Sequence, residues 1–220
     1  MTATEREPVT RVAVLIPTYN ERANLPTIVA RVRESVPDAD VLVIDDNSPD
    51  GTGRVADGLA ARDSQVSVLH RAGKEGLGKA YLAGFECALA AGYDAVVEMD
   101  ADGSHQPEQL PALLAAIADA DVVIGSRWVR GGAVRNWPRH RKVLSVGANL
   151  YTKALIGMPV NDATAGYRVY RSSALTTMSL DGVQSQGYCF QVDLTLRAIR
   201  AGLTVVEVPI TFVEREHGES

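Results

Sequence analysis

Asp100 and Asp102 stand two residues apart in Asp100-Ala101-Asp102-Gly103-Ser104-His105, directly after the apolar run 95–99. Two carboxylates leaving a buried strand at that spacing can turn toward one hard cation. Mg2+ and Mn2+ are commonly held by one or two carboxylates together with phosphate oxygens and water. A cation held this way neutralises a diphosphate as its bond breaks. An Asp-x-Asp pair alone is equally compatible with a turn that caps the next helix. Its address after a buried strand, beside two other polar strand ends, favours the metal reading. Those ends are Pro17-Thr18-Tyr19-Asn20-Glu21 and Asp45-Asp46-Asn47-Ser48-Pro49-Asp50-Gly51. Tyr19 offers a ring that can stack on a base, Glu21 an acceptor, and Asp46 an acceptor for a ribose or base. The second cluster also reads as an Asx-turn. Among the scattered histidines only His105 sits where it can support the carboxylate pair, and a surface position is the simpler expectation for it.

Two further segments carry charge chemistry. Gly73-Lys74-Glu75-Gly76-Leu77-Gly78-Lys79 has P-loop spacing, but Ala80 stands where Ser or Thr must supply a metal-binding hydroxyl. It is therefore read as a Gly-rich helix start that approaches neighbouring loops. Residues 127–142 hold Arg127, Arg130, Arg135, Arg139, Arg141 and Lys142 with no Asp or Glu among them, plus Trp128 and Trp137. Arg forks suit phosphate, and Trp suits a membrane–water interface. The bland alternative is a solvated charged loop. A phosphate-bearing, lipid-linked substrate is the favoured reading.

The elements that must position these groups alternate regularly. Buried strands are expected at 12–16, 41–45, 66–70, 95–99 and 122–125, with helices at 24–36, 52–62, 77–91 and 107–118 between them. That alternation implies parallel pairing with right-handed crossovers, so residues up to about 125 read as a Rossmann-like open sheet. In such sheets ligands bind outside the carboxyl ends of the strands, which brings the three polar clusters to one rim. Beyond it, 126–141 reads as an ordered loop, 142–156 and 190–201 as helices, and 167–170 and 204–209 as strands. The expectation is one α/β domain over 11–220 after a flexible segment 1–10. A nucleotide-binding part spans 11–125 and an acceptor-binding part 126–220.

Bulk composition narrows the classes. The chain has 220 residues, 46% hydrophobic and 22% charged, with a formal net charge of −5. That is ordinary globular composition, and the acidic balance argues against nucleic acid as the main partner. No stretch is long and apolar enough for a signal peptide or a membrane span. A soluble or peripheral protein is expected. Cys87 and Cys189 lie far apart and read as reduced, buried thiols of a cytoplasmic protein.

The clusters at 17–21, 45–52 and 100–105, with Gly125-Ser126-Arg127, resemble the motifs of family-2 glycosyltransferases of GT-A fold. Asn136-Trp137-Pro138, Arg141-Lys142, the run 162–168 and the run 212–220 resemble, more narrowly, the polyprenol (dolichol) monophosphate mannose synthases, most of all the actinobacterial ones. The resemblance extends over nearly the whole chain from Arg11 onward. It implies a single GT-A domain and inverting transfer of mannose from GDP-mannose to a polyprenyl phosphate. A divalent Mg2+ or Mn2+ would be needed, at the cytoplasmic side of a membrane, with a peripheral attachment or a separate anchor. Carried over by position, Pro17, Tyr19, Glu21, Ile44 and Asp46 would contact the guanosine part. Asp100, Ala101, Asp102 and Ser104 would face the diphosphate, with Asp100, Asp102 and Ser104 about the metal. Arg127 and Arg215 would contact the nucleotide-sugar; Arg141 and Ser145 would hold the acceptor phosphate. Some relatives carry Gln in place of Ser104. The family pattern continues Gly-x-Ser-Lys, so a trimmed C-terminus is expected at Ser220. Competing readings are a transferase using UDP-glucose or another nucleotide-sugar, and a non-catalytic nucleotide-binding module. A nucleotidyltransferase is disfavoured because no N-terminal Gly-x-Gly-Thr-Arg loop is present.

Overall fold

The structure is a computed structural model and describes residues 6–185 and 187–214. The alternating first part forms as expected. Strands β1 (Val12–Thr18), β2 (Asp40–Asp45), β3 (Val66–His70), β4 (Ala95–Glu98) and β5 (Val122–Ser126) alternate with helices α1 (Leu25–Ser35), α2 (Thr52–Ala60), α3 (Leu77–Ala90) and α4 (Leu110–Ala116). A short 3-10 turn, Pro107–Gln109, leads into α4, with proline in the first turn where its missing N–H costs nothing.

The second part departs from expectation in detail. The segment expected to be loop contains strand β6 (Ala133–Arg135), and helix α5 (Arg139–Ile156) starts directly after Pro138, three residues ahead of Lys142. Strand β7 (Arg168–Arg171), helix α6 (Ser172–Thr177), helix α7 (Tyr188–Arg200) and strands β8 (Val205–Pro209) and β9 (Thr211–Val213) follow. β6 and β9 form a separate two-stranded parallel sheet. Three-residue strands carry too little periodicity to be seen in sequence.

The main sheet runs β3-β2-β1-β4-β7-β5-β8. β1 to β4 pair in parallel, and so do β5 and β8, while β7 is antiparallel to both β4 and β5. The sheet is therefore mostly parallel. The strand from the later half lies between two strands of the earlier half, so the two parts of the sequence are interleaved. Strand residues alternate between two cores. Val14, Ile16, Val41, Val43, Val97 and Val123 pack under α1, α2 and α4. Ala13, Leu15, Leu42, Ile44, Val96 and Ile124 pack under α3, α6 and α7. Burial on both faces is why these strands read as unbroken apolar runs. At Gly84 of α3 an added Cβ would lie 2.5 Å from Ile44 Cδ1 and 2.8 Å from Leu15 Cδ1. Glycine there lets the helix lie directly on the sheet.

Both cysteines depart from the buried reading: Cys87 and Cys189 are free and exposed. The buried face of α3 is Gly78, Ala80, Tyr81, Gly84, Phe85 and Ala88, and Cys87 falls on the opposite face.

Candidate active site

β2, β1 and β4 are neighbours, so the three polar strand ends meet. β1 is the switch point of the sheet, with α1 leaving toward β2 and β4 on its other side, where open sheets form their crevice. The loops after β1 and β2 are stitched together: the Asn20 N–H donates to Ser48 Oγ at 3.1 Å and the Glu21 N–H to Thr52 Oγ1 at 3.0 Å. Asn20 and Asn47 take the left-handed conformation, with φ of 62° and 56°, which asparagine tolerates better than most residues. The resulting first cleft is lined by Pro17, Tyr19, Glu21, Asp46, Lys74 and the turn 100–102. Ile44 does not join it. Its side chain is fully buried between the sheet and α3, so a nucleotide would reach only its backbone.

Two cations accompany this cleft: Lys74, from the Gly73–Lys79 run, lines it, and Arg71, which the sequence reading did not single out, pairs with the lining residue Asp46. Arg71 bridges Asp46 and Glu75, donating to the latter at 2.8 Å. The Lys74 ammonium stands 4.3 Å above the Tyr19 ring centroid. The Gly73–Lys79 segment thus lines one side of the first cleft and leads into α3 as a Gly-rich helix start. A Cβ on Gly78 would come 2.9 Å from Phe190 Cδ2, which shows how closely this helix start approaches α7.

The Asp100–Asp102 turn is held from below. The Asp100 N–H donates to His105 Nδ1 at 3.0 Å, the Ser104 N–H to Asp102 Oδ1 at 2.9 Å, and the Tyr81 hydroxyl to Asp100 Oδ1 at 3.2 Å. His105 is not a surface residue. It is 2% exposed, stacks on Tyr167 at 4.8 Å and meets Phe212 edge-on at 5.6 Å. Burial lowers its pKa and keeps the ring neutral, so that Nδ1 can accept. Burial first, and the Asp100 charge second, raise the Tyr81 hydroxyl well above its ordinary value and keep it a donor.

A second cleft shares Asp100 and Asp102 with the first and continues over Ser104, Arg127, Trp137 and Phe212. Arg127, expected to contact the nucleotide-sugar, lines this cleft and is held in place: Nε and Nη2 donate to Asp162 Oδ2 and Oδ1, both at 2.7 Å, and Nη2 donates to Thr164 at 2.9 Å. Arg127 is 6% exposed and Asp162 fully buried. The motifs 125–127 and 162–168 therefore meet as one bidentate pair. Trp128 and Trp137, read as interface residues, are partly buried and pack around it, with the Arg127 guanidinium 5.4 Å from the Trp137 ring. Ser104 is buried, and its N–H is spent on Asp102. Ser145 lies partly buried on α5, its carbonyl accepting from Asn149 at 3.0 Å. Arg141 lies on α5 with its side chain outside the description, and Arg215 lies outside the described residues.

Beneath the carboxylate turn is a buried polar layer. Glu98, two residues before Asp100 on β4, is 0% exposed. Its Oε2 accepts from Gln191 Nε2 at 2.9 Å and from the Tyr170 hydroxyl at 3.5 Å. Arg168, also fully buried, donates to the carbonyls of Ala163 and Ala165 and to Thr195, and so shapes the 162–168 loop. The visible signal for this layer was a charged residue inside the apolar run 95–99.

Burial raises the Glu98 carboxyl from an ordinary 4.5 to about 8. Below pH 4.5 both folded and unfolded chains hold the proton. Between there and pH 8 only the folded chain does, so the contribution of Glu98 to stability is lost as pH rises. Glu98→Gln is expected to flatten the fall in denaturation midpoint between about pH 5 and 8. An unchanged pH profile would reject this account.

The donor set at the junction of the clefts is two carboxylates and no soft ligand. Among the described residues no group of three or more His, Cys, Asp or Glu is placed to hold a metal by itself. Two carboxylates that leave room for phosphate oxygens and water fit Mg2+ or Mn2+ and do not fit a structural Zn2+ site. The arrangement can bind a nucleotide on one side of a carboxylate turn and a second polar group on the other.

Comparison with known proteins agrees with this layout. Residues 13–178 match the family model described as Glycosyl transferase family 2. The undecaprenyl-phosphate mannosyltransferase of Micrococcus luteus is 58% identical over 210 residues, covering 96% of this chain and 86% of that protein. The polyprenol monophosphomannose synthase of Mycolicibacterium smegmatis is 59% identical, covering 97% and 81%. Among solved structures, glucosyl-3-phosphoglycerate synthase of Mycobacterium tuberculosis, in complex with Mn2+, UDP and glucosyl-3-phosphoglycerate, superposes with a TM-score of 0.70. At 21% identity over 96% of this chain and 73% of that one, it speaks to the fold alone.

Proposed function

Because the chain belongs to glycosyl transferase family 2 and has the GT-A fold of that family's glycosyltransferases, we propose that it transfers mannose from GDP-mannose to a polyprenyl phosphate, with inversion. The observation that carries this reading is the meeting of two clefts at Asp100 and Asp102, in a chain 58% and 59% identical to two lipid-phosphate mannosyltransferases.

The guanosine part would lie in the first cleft, over Tyr19 and against Glu21 and the Asp46–Arg71 pair. Asp100 and Asp102 would hold Mg2+ or Mn2+, which when bound offsets the charge of the departing diphosphate. Ser104 supports that site through Asp102. The mannose would enter the second cleft beside Arg127, whose orientation the Asp162 clamp sets in advance. The acceptor phosphate is already ionised near neutral pH and needs no general base, unlike a sugar hydroxyl. Its oxygen attacks the anomeric carbon as GDP leaves toward the carboxylate turn. Arg141 and Ser145 on α5, and Arg215, are proposed to balance the charge of two anionic substrates.

The acceptor lipid places the reaction at a membrane surface, proposed here to be the cytoplasmic one. Among the described residues no helix is long and apolar enough to cross a membrane, so the proposed attachment is peripheral or through a separate anchoring partner. Residues 11–125 are proposed to supply most donor contacts and 126–220 most acceptor contacts.

The test is a panel of nucleotide-sugars with a polyprenyl phosphate acceptor and Mn2+ or Mg2+, read as lipid-linked product. GDP-mannose should be the preferred donor. A preference for UDP-glucose, pyrophosphate release, or GDP binding without transfer would each reject the proposal. Arg141→Ala is expected to raise the acceptor KM by roughly tenfold or more and the donor KM much less. Equal effects on both would remove Arg141 from the acceptor site.

A further inference from the structure

Gln191 is a lining residue of the second cleft that lies outside the motifs quoted above. It is 5% exposed, and among the described residues its buried Oε1 meets no hydrogen-bond partner. A buried amide oxygen left unpaired costs more than a paired one gains, so it calls for a partner, an ordered water or a ligand hydroxyl. The amide is not free to turn. Nε2 donates to Glu98 Oε2 at 2.9 Å. The backbone beneath it is anchored too. Phe190 stacks on Tyr81 at 6.3 Å with 7° between the rings, and Thr195, held by Arg168, donates to the Gln191 carbonyl at 2.8 Å.

Its position relative to the carboxylate turn is given by Gly166. A Cβ there would lie 3.9 Å from Asp100 Oδ2 and 3.9 Å from Gln191 Nε2. The amide and the metal-side carboxylate thus flank one small patch of cleft floor kept open by the absence of a side chain. A hexose with its anomeric carbon toward Asp100 and Asp102 would lie in the cleft that Gly166 and Gln191 line.

We propose that Gln191 is a specificity-determining residue, its Oε1 accepting a hydrogen bond from one ring hydroxyl of the transferred hexose, with Glu98 as the positioning residue that fixes the amide. This inference rests on the mannosyl-transfer reading for the identity of the sugar. Glu98 itself reaches no substrate, and acts only by holding the Gln191 amide.

The experiment uses the full chain, Mn2+, polyprenyl phosphate, GDP-mannose and four GDP-mannose analogues, each lacking one hydroxyl at C2, C3, C4 or C6. The parent should lose roughly 5- to 100-fold in kcat/KM on one analogue, the usual effect of leaving a built acceptor unpaired. Gln191→Met keeps the volume and removes the acceptor. It should lose a similar factor on GDP-mannose, lose nothing further on that one analogue, and leave the ratios among the others unchanged. Glu98→Met, which removes the oxygen that holds the Gln191 amide, should erode the same discrimination selectively. The affinity of GDP alone should stay within about twofold in all three proteins. A second readout, metal-dependent binding of GDP-mannose relative to GDP, keeps the test independent of the acceptor. If the parent transfers mannose to no lipid phosphate, the proposed function fails, while Gln191→Met must still narrow the affinity gap between GDP-mannose and GDP. A Gln191→Met protein with unchanged kcat/KM and unchanged binding ratio, or with an equal loss on every analogue, overturns the role of Gln191.

Discussion

Asp100→Asn is expected to lower turnover by roughly 10²- to 10³-fold at saturating substrates while leaving the melting temperature nearly unchanged. The substitution removes charge without changing shape. The Tyr81 hydroxyl can still donate to the remaining oxygen, and the backbone N–H still meets His105. The side chain is 30% exposed, so its neutralisation leaves no buried charge stranded. The loss falls instead on the leaving group, whose two phosphates need a cation that one carboxylate holds poorly. The measurement is kcat across a Mn2+ titration beside a thermal melt. Near-normal kcat at saturating metal would remove Asp100 from the metal site. A large drop in melting temperature would make it a structural residue.

The second large effect is on stability. Asp162→Ala leaves the buried Arg127 guanidinium without its bidentate partner, and breaking a buried pair on one side costs roughly 3–5 kcal/mol. For a domain of this size that is a fall of roughly 6–20 °C in melting temperature. Asp162 also accepts the Arg127 backbone N–H at 2.9 Å, so the turn after β5 loosens with it. Transfer should fall as well, because the wall of the second cleft loses its set position. Replacing both partners by apolar residues, Arg127→Met with Asp162→Leu, should recover part of the stability and none of the activity. Recovery of activity would show that Arg127 only braces the fold. A single Asp162→Ala change costing under about 1 kcal/mol would show the pair to be solvent-screened.

The alternating strands and helices up to about residue 125 were legible because each strand is buried on both faces and each helix shows one apolar stripe. The convergence of residues 17–21, 45–51 and 100–105 was legible for the same reason, since parallel strands put their carboxyl ends on one side. β6, β9 and α6 were not legible: three residues are too few to show strand alternation, and the six of α6 make less than two helical turns. The antiparallel β7 was foreseen as a strand, but its place between β4 and β5 depends on contacts far apart in the chain. Cys87 and His105 were each assigned to the wrong environment. Their types allow either, and only the phase of α3 and the stacking on Tyr167 decide.

Asp100 and Asp102 mark the division most clearly. Their identity, their spacing and their place after a buried strand are local, and local pattern is enough to single them out as a candidate carboxylate pair for one cation and a diphosphate. What surrounds them is not local. Arg127 meets Asp162 from 35 positions away, and Gln191 meets Glu98 from 93 positions away. A buried charge or amide becomes a working group only when a partner fixes its orientation, and that partner is chosen by packing across the sheet. Chain order shows which side chains are candidates for the chemistry; packing sets which of them are held in one orientation, because orientation inside a low-dielectric core comes from long-range pairing and not from neighbours in the chain.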